Sequence, residues 1–476
     1  MGNSIVTQKP VLWRLRPSER RIILLMGDIS VSVLALFLAV IIWSRRDMWL
    51  DFSLEFLRQR IPGWFYFLPL VWLFFIIELY DIRRASHWYQ TVRGVGIAAG
   101  ISIGIYLLWF FLAKQGTLPR LGVGVFILGA LIGTLLWRFL YIKIFTAPLM
   151  MRRVLIVGAG RAGSTLAASI RQIWPPPFHL IGFIDDDPEK IGTQVGEFPV
   201  LGGNQDLMKI IQAQNISDLI FAISGQMNPD MFQVLIAAEE QGIEVTTMPV
   251  VYEELLGRVP IFLLQSDWIL RSFVDQAHTG EFYEVAKRTM DILGGLAGCL
   301  VLICLFPIIS LAILLDDGYP IFYYQTRLGK SGQIYKIAKF RTMRNDAEID
   351  GKARLATEND ERVIRVGRLL RKSHLDELPQ FFNVLRGDMS LVGPRAERPE
   401  LVDELQTKVP FYRARLLVKP GLTGWAQVNF PIVSTIHDIG VKLEYDLYYI
   451  KHRNLMLDFI SLIRTIGIVV RMRGVG

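Results

Sequence analysis

Cysteine is nearly absent from this chain. Only Cys299 and Cys304 occur in 476 residues, both inside one apolar stretch, which excludes a disulfide framework and paired CxxC metal sites. The 6 histidines are scattered, with no HExxH or comparable ligand spacing. Zinc-finger spacing, an RNP-like motif and a basic-region zipper are all missing, so nucleic acid is not an expected partner. The first apolar run is full-length and no small-residue cleavage site follows it, which argues against a secretory signal. Charge is scarce as well: 20% of residues are charged against 52% hydrophobic, an apolar balance for a soluble protein. The formal charge is nevertheless +8. In a membrane protein such a surplus suits anchoring beside anionic lipids, or the handling of phosphorylated substrates.

What the chain has in abundance is long apolar stretches. Four come first, at residues 22–43, 62–80, 94–113 and 122–142, each near the roughly 20 residues a helix needs to cross hydrocarbon. Lys9, Arg14, Arg16, Arg20 and Arg21 precede the first. Arg83, Arg84 and Arg93 separate the second from the third, and Lys143, Arg152 and Arg153 follow the fourth. The opposite loops are less basic in total, although Arg45, Arg46, Arg58 and Arg60 blur the contrast. Both the N-terminus and everything after residue 145 are therefore expected in the cytoplasm. Asp28 and Arg138 are ionisable residues within or near the spans, readable as part of a transport path or as a satisfied contact between helices.

Composition changes at Met150. "RRVLIVGAGRAGSTLAASI" reads as a strand, a G-x-G-x-x-G turn at Gly158, Gly160 and Gly163, and a helix, and Asp185 follows 22 residues after the third glycine. Further β/α alternation runs through "DLIFAIS" and "IEVTTMP". Strand, glycine turn, helix and later acid in one unit predict a Rossmann-like fold. The same glycines also serve the tight turn and close helix packing, so a bound nucleotide at Gly158, Gly160, Gly163 and Asp185 is one of two readings. "QSDWILRSFVDQAHTGEFYE" reads as a connector.

A fifth apolar run extends from Ile292 to Leu315, interrupted by Pro307. Proline removes a backbone donor and clashes with the preceding turn, so a sharp bend is expected there. Lys287 and Arg288 flank one end, and Arg327, Lys330, Lys336 and Lys339 follow the other. Cytoplasmic charge at both ends suits a helix that enters one leaflet and returns; the alternative is a kinked spanning helix. The segment from Ile292 to Leu305 would reach ~21 Å, about one leaflet. Residues 455–473 are amphipathic and basic, fitting a helix in the membrane plane or a buried C-terminal helix.

The chemistry gathers downstream. In "SHLDELPQFFNVLRGDMSLVGPRAER", Asp376 and Glu377 are adjacent, so on one helix they point about 100° apart and cannot face each other across a substrate. Pro379 suits a first turn, which places Asp376 at the N-cap of a helix that Gly387 ends. There the positive helix end and nearby arginines keep a carboxylate ionised, able to attack phosphorus or to hold Mg²⁺. "YKIAKFRTM" adds Lys336, Lys339 and Arg341; Arg371 lies just upstream; Arg386, Asp388, Arg395, Glu397 and Arg398 lie downstream. "KPGLTGWAQV" sets Pro420, Gly421 and Gly424 around Thr423, a loop shape that could wrap a nucleotide.

"KRTMDI", "KFRTM", "SHLDELPQFFNVLRGDMSLVGPR" and "KPGLTGWAQV" together resemble the monotopic phosphoglycosyl transferases, bacterial sugar transferases that start exopolysaccharide, capsule and O-antigen assembly. The catalytic likeness covers roughly 280–476. The four spans and Rossmann-like unit resemble the large-type members, the polyprenyl glycosylphosphotransferases. The resemblance implies that Asp376 attacks a UDP-hexose, glucose before galactose, releasing UMP. Undecaprenyl phosphate would then take the sugar-phosphate from the carboxylate. It further implies Mg²⁺ near Asp376 and Glu377, with Glu377 supporting the pair. Lys339, Arg341 and Arg371 would neutralise phosphoryl charge, Asp388 would join the substrate site, Arg395 would lie near the phosphates, and the 420–424 loop would take the nucleotide side. A homodimer and a bacterial inner-membrane location with a cytoplasmic catalytic domain are family-based expectations too. Two departures stand out. Ala396 replaces the second proline of the usual G-P-R-P loop, and Phe306 precedes Pro307 where small members carry serine. His374 beside the pair reads as a bystander.

The expected fold is thus an α-helical membrane bundle, a Rossmann-like (CoA-binding-like) α/β domain and a mixed, mainly helical monotopic catalytic domain with a re-entrant helix. The seams fall at 1–21 for the tail, 22–145 for the four spans, 150–262 for the Rossmann-like unit and 263–280 for the connector. The catalytic domain takes 281–476, with the re-entrant helix at about 288–315. Two rivals remain. A membrane-bound nucleotide-sugar dehydratase or epimerase would need a Y-x-x-x-K pair, found at Tyr283–Lys287 and Tyr335–Lys339 but without a second Rossmann unit. A nucleotide-sensing membrane regulator would leave the 376–377 constellation unexplained.

Overall fold

The computed structural model describes residues 17–46, 52–80, 85, 87–112, 119–145, 151–174, 176–223, 228–263, 280–344, 362–430 and 435–470. The tail before residue 17, the charges at Arg83 and Arg84, and the connector from 264 to 279 lie outside them. Contacts divide the chain into two compact units, Met1–Met248 and Pro249–Gly476.

The first unit opens with helices α1 (Pro17–Ser44), α2 (Leu68–Phe75), α3 (Trp88–Leu112) and α4 (Arg120–Phe145). α1, α3 and α4 are long and apolar enough to cross a membrane. The second apolar stretch is not one long helix: a 3-10 turn at Gly63–Phe67, the eight-residue α2 and a second 3-10 turn at Ile77–Tyr80 share it. Two prolines account for the break, because Pro62 precedes the first turn and Pro69 fixes the start of α2. Where α1 crosses α4, the side chains are small. A Cβ on Gly133 would meet Val31 at 2.6 Å and one on Gly129 would meet Ala35 at 3.3 Å, so backbones approach as small residues allow in lipid. Asp28 and Arg138 prove to be an ion pair between these helices. Their fully buried side chains pair at 2.7 Å, and Arg138 Nη1 donates to Leu79 O in the second 3-10 turn at 2.7 Å. The pair ties the broken second stretch to α1 and α4.

The Rossmann-like part follows, with β1 (Arg153–Val157), β2 (His179–Ile184), β3 (Gln194–Val195), β4 (Phe198–Gly202), β5 (Asp218–Phe221) and β6 (Glu244–Thr247) in the order β3-β4-β2-β1-β5-β6. All pairings are parallel except β3 with β4. Helices α5 (Arg161–Arg171), α6 (Asn204–Gln214) and α7 (Pro229–Glu240) connect them. Buried Leu155, Val157, Ile184 and Leu219 form the sheet side of the core. This is the expected fold from strand, glycine turn and helix.

The second unit begins earlier than the 262/263 seam read from the sequence. α8 (Met248–Leu256) and the residues after it pack on helix α13 (Ile436–His452, defined by a Thr435/Asp438 capping box). Glu253 pairs with Lys451 at 2.9 Å and His452 at 2.7 Å, and a Cβ on Gly440 would overlap the Phe262 ring. Helix α9 (Glu281–Asp317) continues through Pro307 without interruption. Phe306, in the place of serine, stacks on Phe322 and Phe340 at 5.8 and 6.3 Å. These rings belong to the antiparallel hairpin β7 (Phe322–Leu328) and β8 (Ile334–Phe340). Then come α10 (Arg365–Ser373), a 3-10 turn at Leu375–Gln380, α11 (Phe381–Arg386), β9 (Ser390–Val392), α12 (Pro399–Lys408) and β10 (Gly421–Thr423), with β9 and β10 parallel. On α9, Gly294, Gly295 and Gly298 face Leu391, Leu385 and Phe381, each so close that a Cβ would collide. α14 (Leu455–Val470) turns Asp458, Ser461 and Arg464 inward and leaves Met456 and Ile466 exposed, an inverted face that suits a lipid surface.

The buried Asp28–Arg138 pair gives a direct test. Asp28→Leu leaves a charged guanidinium in the bundle and is expected to cost about 3–5 kcal/mol. Adding Arg138→Met should recover most of the loss in thermal unfolding of the detergent-solubilised chain.

Candidate active site

The acidic pair sits in a 3-10 turn, not at the mouth of an α-helix. α10 runs to Ser373, and His374 ends it in the left-handed region at φ +57°, a conformation that histidine visits more readily than most side chains. His374 therefore also starts the next turn, and Glu377 N–H donates to His374 O at 3.2 Å in i→i+3 fashion. Asp376 lies inside the turn, so the N-cap expected for it belongs to His374. Gly387, at φ +96°, ends α11 as expected. Leu375 and Leu378 pack into the cluster around Leu302, Ile309, Phe340 and Leu370, which fixes the turn against α9 and β8.

Two cations converge on Glu377. Lys339 Nζ, from β8, donates to Oε1 at 2.7 Å, and Arg395 Nη2, from the loop after β9, donates to the same oxygen at 3.1 Å. Burial alone would raise the Glu377 carboxyl, but Lys339 and Arg395 outweigh it and hold the group well below the ordinary range. Asp376 is buried as well, and its balance is opposite. Burial and then the Glu377 charge push it up to about 6, against the pull of Lys339, Arg395 and Arg371. The two acids are thereby split: Glu377 is charged and engaged, and Asp376 titrates close to neutrality. Burial lowers the His374 imidazole more than the Glu377 charge raises it, which keeps that ring neutral near pH 7.

The other sequence candidates lie at five separate places. Arg371 belongs with the pair through its field on Asp376. Arg341 is engaged elsewhere: it donates to Asp317 O, Gly318 O and Tyr319 O, closing the C-terminal end of α9. Asp388 lies in the turn after α11, near Asn383 Nδ2 and Arg386 Nε. The 420–424 loop packs on the Arg395 loop, with Gly421 N–H on Pro394 O and Gly393 N–H on Thr423 O, both at 2.9 Å. Gly421 and Gly424 are required by that approach, since a Cβ on either would lie 2.1 Å from Gly393 backbone. Thr423 Oγ1 pairs with Thr465 Oγ1 at 2.6 Å. In the Rossmann-like part, Gly158 adopts φ +110° and a Cβ on Gly163 would strike Gly158 O at 2.0 Å, while space around Gly160 is open. Asp185 Oδ2 accepts from Ala159 N–H at 2.8 Å, inside the glycine turn.

One group was missed from the sequence. Arg415, nearly fully buried, donates to Asp446 at 2.9 Å, Tyr412 Oη at 2.7 Å, Glu397 at 3.3 Å and Arg395 O at 3.0 Å. Arg327 donates to Ala396 O at 3.0 Å. These two arginines brace the loop where a second proline is absent. No local pattern marks Arg415, because its partners outside its own turn lie 18 to 31 residues away. The rival Y-x-x-x-K pairs are also accounted for: Tyr283 and Lys287 both hold Asp458, and Lys339 holds Glu377. Among the described residues no group of three or more His, Cys, Asp or Glu could hold a metal by itself.

A membrane-associated domain that brings a lysine and an arginine to a buried acidic pair has the equipment of a phosphoryl-transfer site. A family model described as bacterial sugar transferase matches residues 282–472, and one described as a CoA-binding domain matches 76–249. An Aeromonas hydrophila UDP-N-acetylgalactosamine-undecaprenyl-phosphate N-acetylgalactosaminephosphotransferase is 39% identical over 46% of this chain and 50% of its own. A Xanthomonas campestris pv. campestris UDP-glucose:undecaprenyl-phosphate glucose-1-phosphate transferase is 27% identical over 82% of this chain and 83% of its own. A Bacillus subtilis protein, named for undecaprenyl-phosphate N-acetylgalactosaminyl 1-phosphate transfer, is 40% identical over 31% of this chain and 81% of its own. The chain spans half the length of the first of these relatives. It belongs to the bacterial sugar transferase family, among the polyprenyl glycosylphosphotransferases.

Arg415→Met is expected to leave Glu397 and Asp446 buried without their shared cation, costing about 3–5 kcal/mol in thermal unfolding. Arg415→Lys should rescue little, because one ammonium cannot span the four acceptors that the planar guanidinium reaches.

Proposed function

We propose that the chain transfers hexose-1-phosphate from a UDP-hexose to undecaprenyl phosphate through a covalent intermediate on Asp376, the first step of a polysaccharide assembly. The observation that carries this reading is the split of the acidic pair, with Glu377 held between Lys339 and Arg395 and Asp376 left as the free carboxylate. In the first step an Asp376 oxygen attacks the phosphorus that bears the hexose. The bond from that phosphorus to the bridging oxygen breaks, and UMP leaves with the electron pair. In the second step an oxygen of undecaprenyl phosphate attacks the same phosphorus and returns the carboxylate, giving undecaprenyl-diphospho-hexose. A covalent intermediate lets one site serve a soluble and a lipid substrate in turn. Lys339 and Arg395 would offset the charge that builds on the phosphoryl oxygens.

Mg²⁺ fits this site in the form the ion usually takes beside phosphates, with one or two carboxylates and the remaining ligands from substrate and water. Asp376 and Glu377 would hold it, and it would supply neutralisation of the diphosphate. Glucose is the favoured hexose, because a relative matched over 82% of the chain is named for UDP-glucose, although one matched over 68% is named for UDP-galactose and N-acetylgalactosamine enzymes match over 46% and 31%. A panel of UDP-sugars decides between them.

We further propose that α9 enters and leaves the membrane on the cytoplasmic side. What supports this is that both of its ends are held by the same unit. Lys287 and Arg288 bind Asp458, Val384 O and Leu385 O at one end, and Asp316 accepts from Val366 N–H at the other. In a background lacking Cys299 and Cys304, Tyr319→Cys should label only from the cytoplasmic side; periplasmic labelling sinks the topology.

Asp376→Asn should abolish UMP release from UDP-hexose in detergent with undecaprenyl phosphate, and wild-type activity in that variant would remove Asp376 as nucleophile. The pH dependence has a definite sign. With Asp376 pushed up to about 6, the attacking form is lost as pH falls through that value, so kcat/KM should drop on the acid side. Glu377→Gln removes a charge that raises Asp376, so the acid limb of its residual activity should move to lower pH.

A further inference from the structure

A second phosphate-type pocket lies at the start of α9, built from residues that neither form the acidic pair nor hold it. Lys287, Arg288, Lys330, Lys419 and Arg453 line it. Its acids are committed internally. Asp291 accepts from Ser390 Oγ and Leu391 N–H at 2.9 Å each, Asp458 holds Lys287 at 3.0 Å, and Glu284 lies 3.7 Å from Arg453. Arg288 is fixed by its donations to Val384 O and Leu385 O, which leave its charge in place.

The cations converge. Gly387 has no side chain, and the point its Cβ would occupy lies 3.5 Å from Lys419 Nζ and 3.6 Å from Arg288 Nη2. The three nearest atoms to that point all belong to these two cations. Among the described residues neither Lys330 nor Lys419 forms an ion pair. Like charges drawn to one point repel unless an anion lies between them, and a phosphate oxygen is the natural occupant.

The setting selects the kind of phosphate. Phe282 and Val285 on the same helix are 81% and 66% exposed, and the apolar run of α9 begins at Ile292, so the pocket opens beside surface suited to acyl chains. A soluble nucleotide would leave that surface bare. The acidic turn packs near Leu302, 14 residues along α9 from Arg288, and neither acid of the pair nor the Lys339 and Arg395 that hold Glu377 lines the pocket. The occupant is therefore not the phosphate that reacts at Asp376. We propose that this pocket binds the phosphodiester headgroup of an anionic phospholipid, holding the start of α9 at the bilayer surface. The inference does not depend on which sugar the enzyme transfers.

The test uses the full chain reconstituted in phosphatidylcholine with and without phosphatidylglycerol, followed by native mass spectrometry of retained lipid. Wild type should keep one phosphatidylglycerol. Lys330→Gln with Lys419→Gln should weaken retention on the order of tenfold, as expected for two lysines at an anionic surface. Lys408→Gln with Arg413→Gln removes the same charge outside the pocket and should retain lipid like wild type. Equal retention by the pocket variant, or equal loss by the control pair, overturns the site. Stoichiometric displacement of phosphatidylglycerol by undecaprenyl phosphate also overturns it, by assigning the pocket to the carrier lipid.

Discussion

The Glu377 carboxylate between Lys339 and Arg395 is the contact on which the site depends. A buried acid stays ionised only where cations repay its lost hydration, and here two cations from separate elements do so. That requirement fixes β8, the acidic turn and the loop after β9 relative to one another. It also settles which acid is engaged. Glu377 takes the cations, and its charge then helps to raise its neighbour. Two carboxylates adjacent in sequence thus acquire different chemistry from position alone, as environment separates paired acids in general.

The Arg395 loop needs support of its own, because a long flexible side chain positions nothing unless its backbone is fixed. Arg415 grips the Arg395 carbonyl and Arg327 grips that of Ala396. Glu397 sits among Arg415, Lys442 and Arg327; burial works against its charge, yet the three cations hold its pKa down. The glycines at 393, 421 and 424 let the neighbouring strand approach at backbone distance. The rigidity that a second proline could have supplied comes instead from hydrogen bonds reaching over from β7 and the turn before β10.

Much of this was legible in the sequence, and the failures have physical reasons. The Rossmann-like unit, the stop at Gly387 and the meeting of the Lys339, Asp376 and Arg395 motifs follow from local pattern and from family likeness. Arg341 did not join them, although it stands two residues from Lys339. β8 ends at Phe340, so strand alternation no longer governs Arg341, and the open carbonyls of α9 take it. Asp376 read as an N-cap because Pro379 fits the first turn of an α-helix and a 3-10 turn alike. The left-handed His374 decides between them, and nothing in the residue spacing shows it. The stretch 62–80 has the hydropathy of a span but two prolines that divide it.

The same distinction between pattern and use applies to the glycine fingerprint. Gly158 is demanded by its positive φ, and Gly163 by the 2.0 Å approach to Gly158 O that any Cβ would suffer. The acid that would meet a ribose in a dinucleotide fold instead accepts from Ala159 N–H, and Lys190 lies 3.3 Å from it. A carboxylate already seated in the glycine turn puts negative charge where a pyrophosphate would approach and occupies one of the turn's donors. Every element of the pattern except Gly160 is therefore accounted for by contacts the fold makes with itself. The fingerprint identifies the architecture here, while the transfer chemistry is supported by Asp376 and Glu377 in the other unit.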